Sequence, residues 1–222
     1  MKKKEICVKT KRMIIQPMSD EEIENLIEAS GSDELRTAYR EMLFGCKRDP
    51  ENRVWYAPWK MTLKNDDTYI GNLSFKGPAK DNVVEIRYSI LPDQEGKGYT
   101  TEAVQAMTQW AFGNADVVFI EAETEPENRA AQRMLEKCGF VSDGEGPRFV
   151  LEKPLPNWMA IYMLFGISIG TALGTSFDSI GIGVSLGLCI GLSIGAALDS
   201  SAKKERKKLS EKREQRGDRK QK

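Results

Sequence analysis

The chain of 222 residues contains no histidine. That removes the side chain most often used as a general base near neutral pH and the commonest nitrogen ligand of zinc. Cysteine is scarce as well: Cys7, Cys46, Cys138 and Cys189 are the four present, and no two form a Cys-x-x-Cys pair. Neither a metal site nor a disulfide framework is therefore expected, and a reducing, cytosolic setting for the globular part is the simpler reading. Behind the basic start Met1-Lys2-Lys3-Lys4, the residues Glu5, Lys9, Lys11 and Arg12 interrupt any apolar core, so a secretory signal peptide is not expected.

Net charge is also missing, with 33 basic and 33 acidic residues, but the balance hides an asymmetry. Residues 203–222 carry 11 Lys/Arg against 4 Asp/Glu, while residues 154–202 hold only Asp178 and Asp199 as charges. The chain divides into a globular body (1–153), an apolar middle (154–202) and a basic tail (203–222).

In the body, Lys11 to Gln16 reads as a first strand closed by Pro17. Ser19 with Glu22 three residues later offers a capping box, and Ile23, Leu26 and Ile27 form the apolar stripe of the helix that follows. A second helix is expected from Asp33 to Phe44. Trp55 to Leu63 reads as a strand, paired through the polar turn Asn65-Asp66-Asp67 with a strand at Tyr69 to Lys76. Val83 to Ile90, rich in β-branched and aromatic residues, predicts a strand, and Thr101 to Phe112 has apolar residues at helical spacing. Val117 to Ala122 predicts one more strand, and Arg148 to Glu152 the last. The order argues a mixed, α/β sheet flanked by helices.

Between strand 83–90 and helix 101–112 lies Gln94-Glu95-Gly96-Lys97-Gly98-Tyr99-Thr100. Two glycines let successive N–H groups turn toward one point, and the next helix adds its unpaired donors and positive dipole end. That combination can cradle a pyrophosphate. It lacks the Gly-Lys-Ser/Thr ending of a Walker loop and the third glycine of a dinucleotide fingerprint. A plain glycine turn without a ligand is the competing reading of this segment alone.

A second motif follows after the next strand: Glu127-Asn128-Arg129-Ala130-Ala131, then Leu135-Glu136-Lys137-Cys138-Gly139-Phe140. Together the two motifs resemble the GNAT superfamily of acetyl-CoA-dependent N-acetyltransferases, in particular the branch acting on ribosomal-protein N-termini and small amines. The resemblance covers residues 10–153. It implies a mostly antiparallel mixed sheet, acetyl-CoA as co-substrate and an amine as acceptor. It also implies that Ile90 and Leu91 offer main-chain N–H groups to the acetyl carbonyl and pantetheine arm. Gln94, Glu95, Gly96, Lys97, Gly98, Tyr99 and Thr100 would form the pyrophosphate loop, in which Lys97 either adds charge or is a solvated loop lysine.

The same resemblance makes Glu85 the candidate general base, against the alternative of an exposed strand carboxylate. Asn128 matches a coenzyme-contacting position and can cap its helix as well. Trp55, Tyr56 and Trp59 either line the acceptor's approach or pack in the core. At Leu135 the chain departs from relatives that carry a tyrosine to protonate the leaving thiolate; Ser89, Tyr88 or solvent could substitute, or the thiolate could leave unaided. Cys138, with no histidine to activate it, reads as packing rather than a nucleophile.

The apolar middle has two uncharged runs, Trp158 to Phe177 and Ile180 to Leu198, each long enough to cross a membrane. Glycines recur every fourth residue, at Gly166, Gly170 and Gly174 and again at Gly183, Gly187, Gly191 and Gly195. Such stripes let helix backbones approach closely. They resemble glycine-zipper transmembrane hairpins, with the turn at Asp178-Ser179. Trp158 and Tyr162 suit an interface, and Lys203 to Lys208 supply a positive-inside signal that puts body and tail on the cytoplasmic side. Lipid contact is expected through 158–198 and through the tail, which attracts anionic lipid at about 1 kcal/mol per basic residue. A soluble oligomerisation hairpin, a buried helical pair and a re-entrant hairpin remain as alternatives, and the stripe offers a route to a homo-oligomer. The tail either extends the second helix or stays disordered. No nucleic-acid partner is expected, because no aromatic platform accompanies it.

The leading expectation is a membrane-tethered N-acetyltransferase facing the cytoplasm. The alternative is a membrane-anchored module that senses acyl-CoA or holds a partner without turnover.

Overall fold

The computed structural model describes residues 6–144, 147–176 and 179–220. The basic start at Met1-Lys2-Lys3-Lys4 and the turn residue Asp178 lie outside the described residues. Two compact units divide at Lys153 and Pro154.

The first unit is an eight-stranded sheet in the order β1-β2-β3-β4-β5-β6-β8-β7. Its strands are β1 (Val8–Lys9), β2 (Met13–Pro17), β3 (Trp59–Leu63), β4 (Tyr69–Phe75), β5 (Val83–Ile90), β6 (Phe119–Glu123), β7 (Val141–Ser142) and β8 (Arg148–Glu152). Every neighbouring pair is antiparallel except β5 with β6. A parallel pair needs a crossover, and here it is helix α4 (Tyr99–Phe112).

Helices α1 (Asp20–Ala29) and α2 (Asp33–Arg48) precede β3. The α1 capping box is formed: Ser19 Oγ accepts from the Glu22 N–H at 3.2 Å, and Glu22 Oε2 accepts from the Ser19 N–H at 2.8 Å. α2 runs a turn beyond the expected Phe44, because Gly45 gives the Tyr56 ring a notch and Cys46 is buried. The expected strand start at Trp55 is instead a short helix, α3 (Arg53–Tyr56), with β3 beginning at Trp59.

Alternation in the strands and helical spacing in α4 converge on one core. Met13, Ile15, Met61, Leu73, Ile86, Val104, Met107 and Ile120 are all buried in it. Helix α5 (Arg129–Lys137) closes with the Gly139 N–H donating to the Glu136 carbonyl at 2.9 Å and the Phe140 N–H to the Leu135 carbonyl at 3.0 Å. Gly139 has φ +89°, so this is a Schellman stop, in which the residues three before and two after the helix end pack on each other. Leu135 and Phe140 are those residues, and both are buried.

The second unit pairs α6 (Trp158–Ser176) with α7 (Ile180–Lys220). Both are long and apolar enough to cross a membrane. Their glycine stripes face each other. A Cβ on Gly166 would overlap the Gly187 carbonyl, one on Gly170 the Gly183 carbonyl, and one on Gly191 the Tyr162 carbonyl. Leu164, Phe165, Ile169, Ile182, Leu186 and Ile190 point outward. At the open end of the hairpin, Asp199 Oδ1 accepts from the Trp158 N–H at 2.9 Å and Oδ2 from the Met159 N–H at 3.3 Å. The one carboxylate of α7's apolar stretch thus caps the start of α6. The basic tail continues α7 as helix through Lys220, the first of the two outcomes left open above.

Candidate active site

β5 pairs with β6 only from Val83 opposite Phe119 to Ile86 opposite Ala122. Beyond Ile86 it keeps β4 on one side, as far as Ile90 opposite Gly71, and the β6 side opens. The Leu91 N–H donates to the Ile70 carbonyl at 2.9 Å. Antiparallel ladders alternate, so Ser89 and Leu91 bond to β4 while the N–H groups of Tyr88 and Ile90 turn toward the open side. Of the two expected donors, the Ile90 N–H faces the open side, whereas the Leu91 N–H is spent within the sheet.

The opening continues as a cleft of about 660 Å³ lined by Arg87, Tyr88, Thr124, Pro126, Asn128 and Pro147 among others. Asn128 caps α5, its Oδ1 accepting from the Ala131 N–H at 2.9 Å, and the same residue lies on the cleft wall. The expected cap is thus formed, and it leaves the residue on the cleft wall.

At the end of β5 the chain turns through residues 92–94 into the glycine loop. Gly96 has φ +72° and Gly98 φ +77°, a region that side chains other than glycine rarely adopt. Nothing lies within 4 Å of a Cβ built on Gly96. Gly98 is the N-cap of α4, and no side chain caps the helix there. Among the described residues no side chain is bonded to the first-turn N–H groups of α4, and the two glycines ahead of them carry no side chain of their own. Lys97 Nζ donates to Gln94 Oε1 at 3.1 Å, and Gln94 Nε2 to Asp93 Oδ2 at 2.8 Å, so these side chains brace the loop from within.

A residue that sequence reasoning missed holds the loop from outside. Arg12, in the β1–β2 turn, donates from Nε to Glu102 Oε2 at 2.7 Å and from Nη1 to the Lys97 carbonyl at 3.0 Å. Its guanidinium lies 4.3 Å over the Tyr99 ring. Burial would raise the Glu102 carboxyl, but Thr10, the Arg12 N–H and the guanidinium together hold it below its ordinary value.

Glu85 sits where β5 and β6 are still paired, five residues before Ile90. At about 3.3 Å per residue that is a separation of about 17 Å, too far for direct contact with an amine beside Ile90. Its Oε1 accepts from Arg87 Nη2 at 2.9 Å and its Oε2 from Lys76 Nζ at 3.3 Å. Burial pushes the carboxyl up, but Arg87 and Lys76 outweigh it and the net direction is down. Glu85 is thus an ionised, doubly paired carboxylate and a weak base.

Trp55, Tyr56 and Trp59 do not line an acceptor path. Trp55 and Trp59 are buried, each 4.8 Å from the Trp110 ring of α4, and Tyr56 fills the space beside Gly45 and Gly77. Core packing took them because three large rings bury more apolar surface together than apart. A polar cluster does occur on β4: Asn72, opposite Ser89, donates from its amide to both Tyr39 Oη and Tyr69 Oη at 3.1 Å. A strand asparagine gave no signal in the sequence. Leu135 is fully buried and offers no acid. Tyr88, on the cleft, is pushed up to about 12, mainly by burial, and keeps its proton at neutral pH. The Cys138 thiol is pushed up to about 11 by burial, in keeping with packing.

A strand that leads through a glycine loop into a helix with no side-chain cap is the order expected from the sequence. The family model described as an acetyltransferase (GNAT) domain matches residues 10–141. The chain belongs to the GNAT acetyltransferase family. A second model, glycine zipper membrane protein, matches residues 155–201.

Among relatives of this GNAT chain, 84 residues are 32% identical to the uncharacterized N-acetyltransferase YjdG of Bacillus subtilis, covering 37% of the chain and 50% of YjdG. The uncharacterized N-acetyltransferase YnaD of the same organism is 30% identical over 82 residues, 37% of this chain and 48% of YnaD. The match thus spans about half the length of these relatives. Among solved structures, the ribosomal-protein-S5-alanine acetyltransferase of Vibrio fischeri aligns with TM-score 0.54 at 15% identity, covering 67% of this chain and all of that one. Mycobacterium smegmatis RimJ in complex with CoA-disulfide aligns with TM-score 0.53 at 15% identity, covering 67% and 88%. At such identities the likeness is one of fold.

Proposed function

We propose that this GNAT chain is an N-acetyltransferase that moves an acetyl group from acetyl-CoA to a primary amine of a small molecule or a protein N-terminus. The observation that carries the reading is the opening of β5 from β6 directly ahead of the Gly96–Gly98 loop. The end of β5 that β6 leaves unpaired offers main-chain donors for a thioester carbonyl, and the loop that follows it offers them for a diphosphate.

The coenzyme supplies an activated acetyl group on a thiol that departs readily. The chain's residues do the rest. The Ile90 N–H polarises the carbonyl, and the N–H groups of the loop and of α4's first turn receive the diphosphate. Asn128 forms the wall beside the pantetheine arm. The Tyr88 hydroxyl donates a hydrogen bond to the departing thiolate. A phenol near 12 will not hand its proton outright to a thiolate whose conjugate acid is near 8.5, so it acts as a donor rather than a full acid. The proton of the amine leaves to water; Glu85, about 17 Å along the strand from Ile90, can take it up only through a chain of several waters.

We further propose that α6 and α7 tether the enzyme to a membrane. Both ends of the hairpin lie together at Asp199 and Trp158, and the basic run begins at Lys203. The positive-inside rule then assigns body and tail to the cytoplasmic face. Because both glycine stripes are occupied within the hairpin, a homo-oligomer through the stripe would have to open it.

The test is coenzyme A release by the purified protein across a panel of amines and peptide N-termini. Turnover with any acceptor class supports the enzyme. Acetyl-CoA binding without turnover on the whole panel would favour the non-catalytic sensing module instead.

A further inference from the structure

The loop that would receive the diphosphate is fixed by a residue from the far end of the sequence. Arg12 is itself held on both sides. In its turn, the Thr10 N–H donates to the Met13 carbonyl at 3.0 Å and the Lys64 N–H to the Arg12 carbonyl at 3.0 Å. Its own N–H donates to Glu102 Oε1 at 2.9 Å, so main chain and side chain grip both oxygens of one carboxylate. Its planar fork then has Nη1 left to take the Lys97 carbonyl.

That contact does more than tie the loop down. In a trans peptide the C=O of one residue and the N–H of the next point in opposite directions, and no cis peptide occurs among the described residues. Drawing the Lys97 carbonyl toward Arg12 therefore aims the Gly98 N–H away from Arg12, to the other side of the loop. Arg12 also cancels a charge. Glu102 lies in the first turn of α4, where an arriving diphosphate would otherwise meet a carboxylate.

We propose that Arg12 is the positioning residue of the diphosphate loop: it aims the Gly98 N–H at the coenzyme and neutralises Glu102 at the helix end where the diphosphate lands. The proposal rests on the coenzyme reading above and deepens it. Arg12 need not touch the coenzyme; it acts through Lys97, Gly98 and Glu102.

The experiment uses the full chain in detergent, with acetyl-CoA titrated calorimetrically and in steady-state turnover. Arg12→Ala should raise the acetyl-CoA dissociation constant and KM by about tenfold, as loss of a charge-assisted bond does, with kcat changed less than about threefold. Glu102→Gln added to Arg12→Ala should recover part of the loss, because it removes the exposed carboxylate but leaves the Lys97 carbonyl untied. Arg12→Lys should recover the charge but not the two-acceptor fork, and fall between wild type and Arg12→Ala. A purely structural role would lower the melting temperature while leaving acetyl-CoA affinity unchanged below it. That outcome, or no rescue by the Glu102 change, would overturn the proposal. Absence of acetyl-CoA binding by the wild type would instead overturn the coenzyme reading itself.

Discussion

Arg87 and Glu85 lie two residues apart on one strand, and the guanidinium holds Glu85 Oε1 through both Nε, at 3.0 Å, and Nη2, at 2.9 Å. The pairing joins an arginine of the cleft wall and the candidate proton acceptor in one unit. Its first consequence is kinetic. Glu85→Gln should lower kcat at neutral pH by about tenfold or less, below the usual range of general-base effects, because a paired carboxylate reached only through several waters is a weak acceptor. The deficit should shrink as pH rises and more acceptor amine is already neutral. A pH–rate series from 6 to 10 with parallel curves for variant and wild type would remove Glu85 from the proton path.

Gly96→Val and Gly98→Val should both weaken acetyl-CoA binding while the body stays folded. The obstacle at Gly96 is conformational, since a Cβ there meets open space but φ is +72°. Each substitution forces about 1–2 kcal/mol of left-handed strain onto the loop or rearranges it. Calorimetric affinity equal to wild type in both variants would show that the loop is outside the site.

Acid should unfold the body from the ordinary carboxylate range downward. The carboxyls of Glu22, Glu85 and Glu102 all lie below their ordinary 4.5 in the folded protein, although burial alone would raise each. Groups lowered in the fold contribute stability that is present above the unfolded value and is lost as pH falls through the folded one. The melting temperature of the body should therefore hold between pH 7 and 5 and drop below about 4.5, and Glu102→Gln should make the drop shallower. A midpoint independent of pH from 6 to 3 would contradict the pairing.

The hairpin should be intolerant at one set of glycines and indifferent at another. Gly187→Leu would drive a side chain into the Gly166 carbonyl, whereas a Cβ on Gly181 meets nothing within 4 Å. Overpacking of about 1–3 kcal/mol or more is expected for Gly187→Leu and little for Gly181→Leu. Thermal midpoints of the two variants in detergent give the comparison; equal midpoints would mean that the stripes do not meet.

Expressed whole, the chain should sediment with membranes and resist a high-salt wash, because salt screens the basic tail but not apolar insertion. A chain ending at Lys153 should be soluble and folded, since β8 is complete at Glu152. Full-length protein recovered as a monodisperse soluble species would refute the anchor.

Local signals were the legible ones. The Ser19–Glu22 box, the Gly96–Gly98 loop, the Asn128 cap and the glycine stripes are each written within a few residues, and periodicity placed β2, β4, β5, β6, β8 and α4 to within two positions. Contacts made across the fold left no local trace. Arg12 reaches Glu102 across 90 positions, and nothing near Arg12 in the chain marks it. Trp55 and Trp59 carry the same letters whether they face a ligand or Trp110. The use of the Leu91 N–H is settled by Ile70 on another strand. Leu135 looked like a departure from a catalytic pattern, and its side chain proves to belong to the helix stop at Phe140.

The facing glycines also decide what the second unit is unable to be. With Gly166 against Gly187 and Gly170 against Gly183, backbone touches backbone along the seam, and even a methyl group has no room there. No lumen runs between the two helices. Inserted in a bilayer, such a seam would pass neither water nor ions between its own two helices.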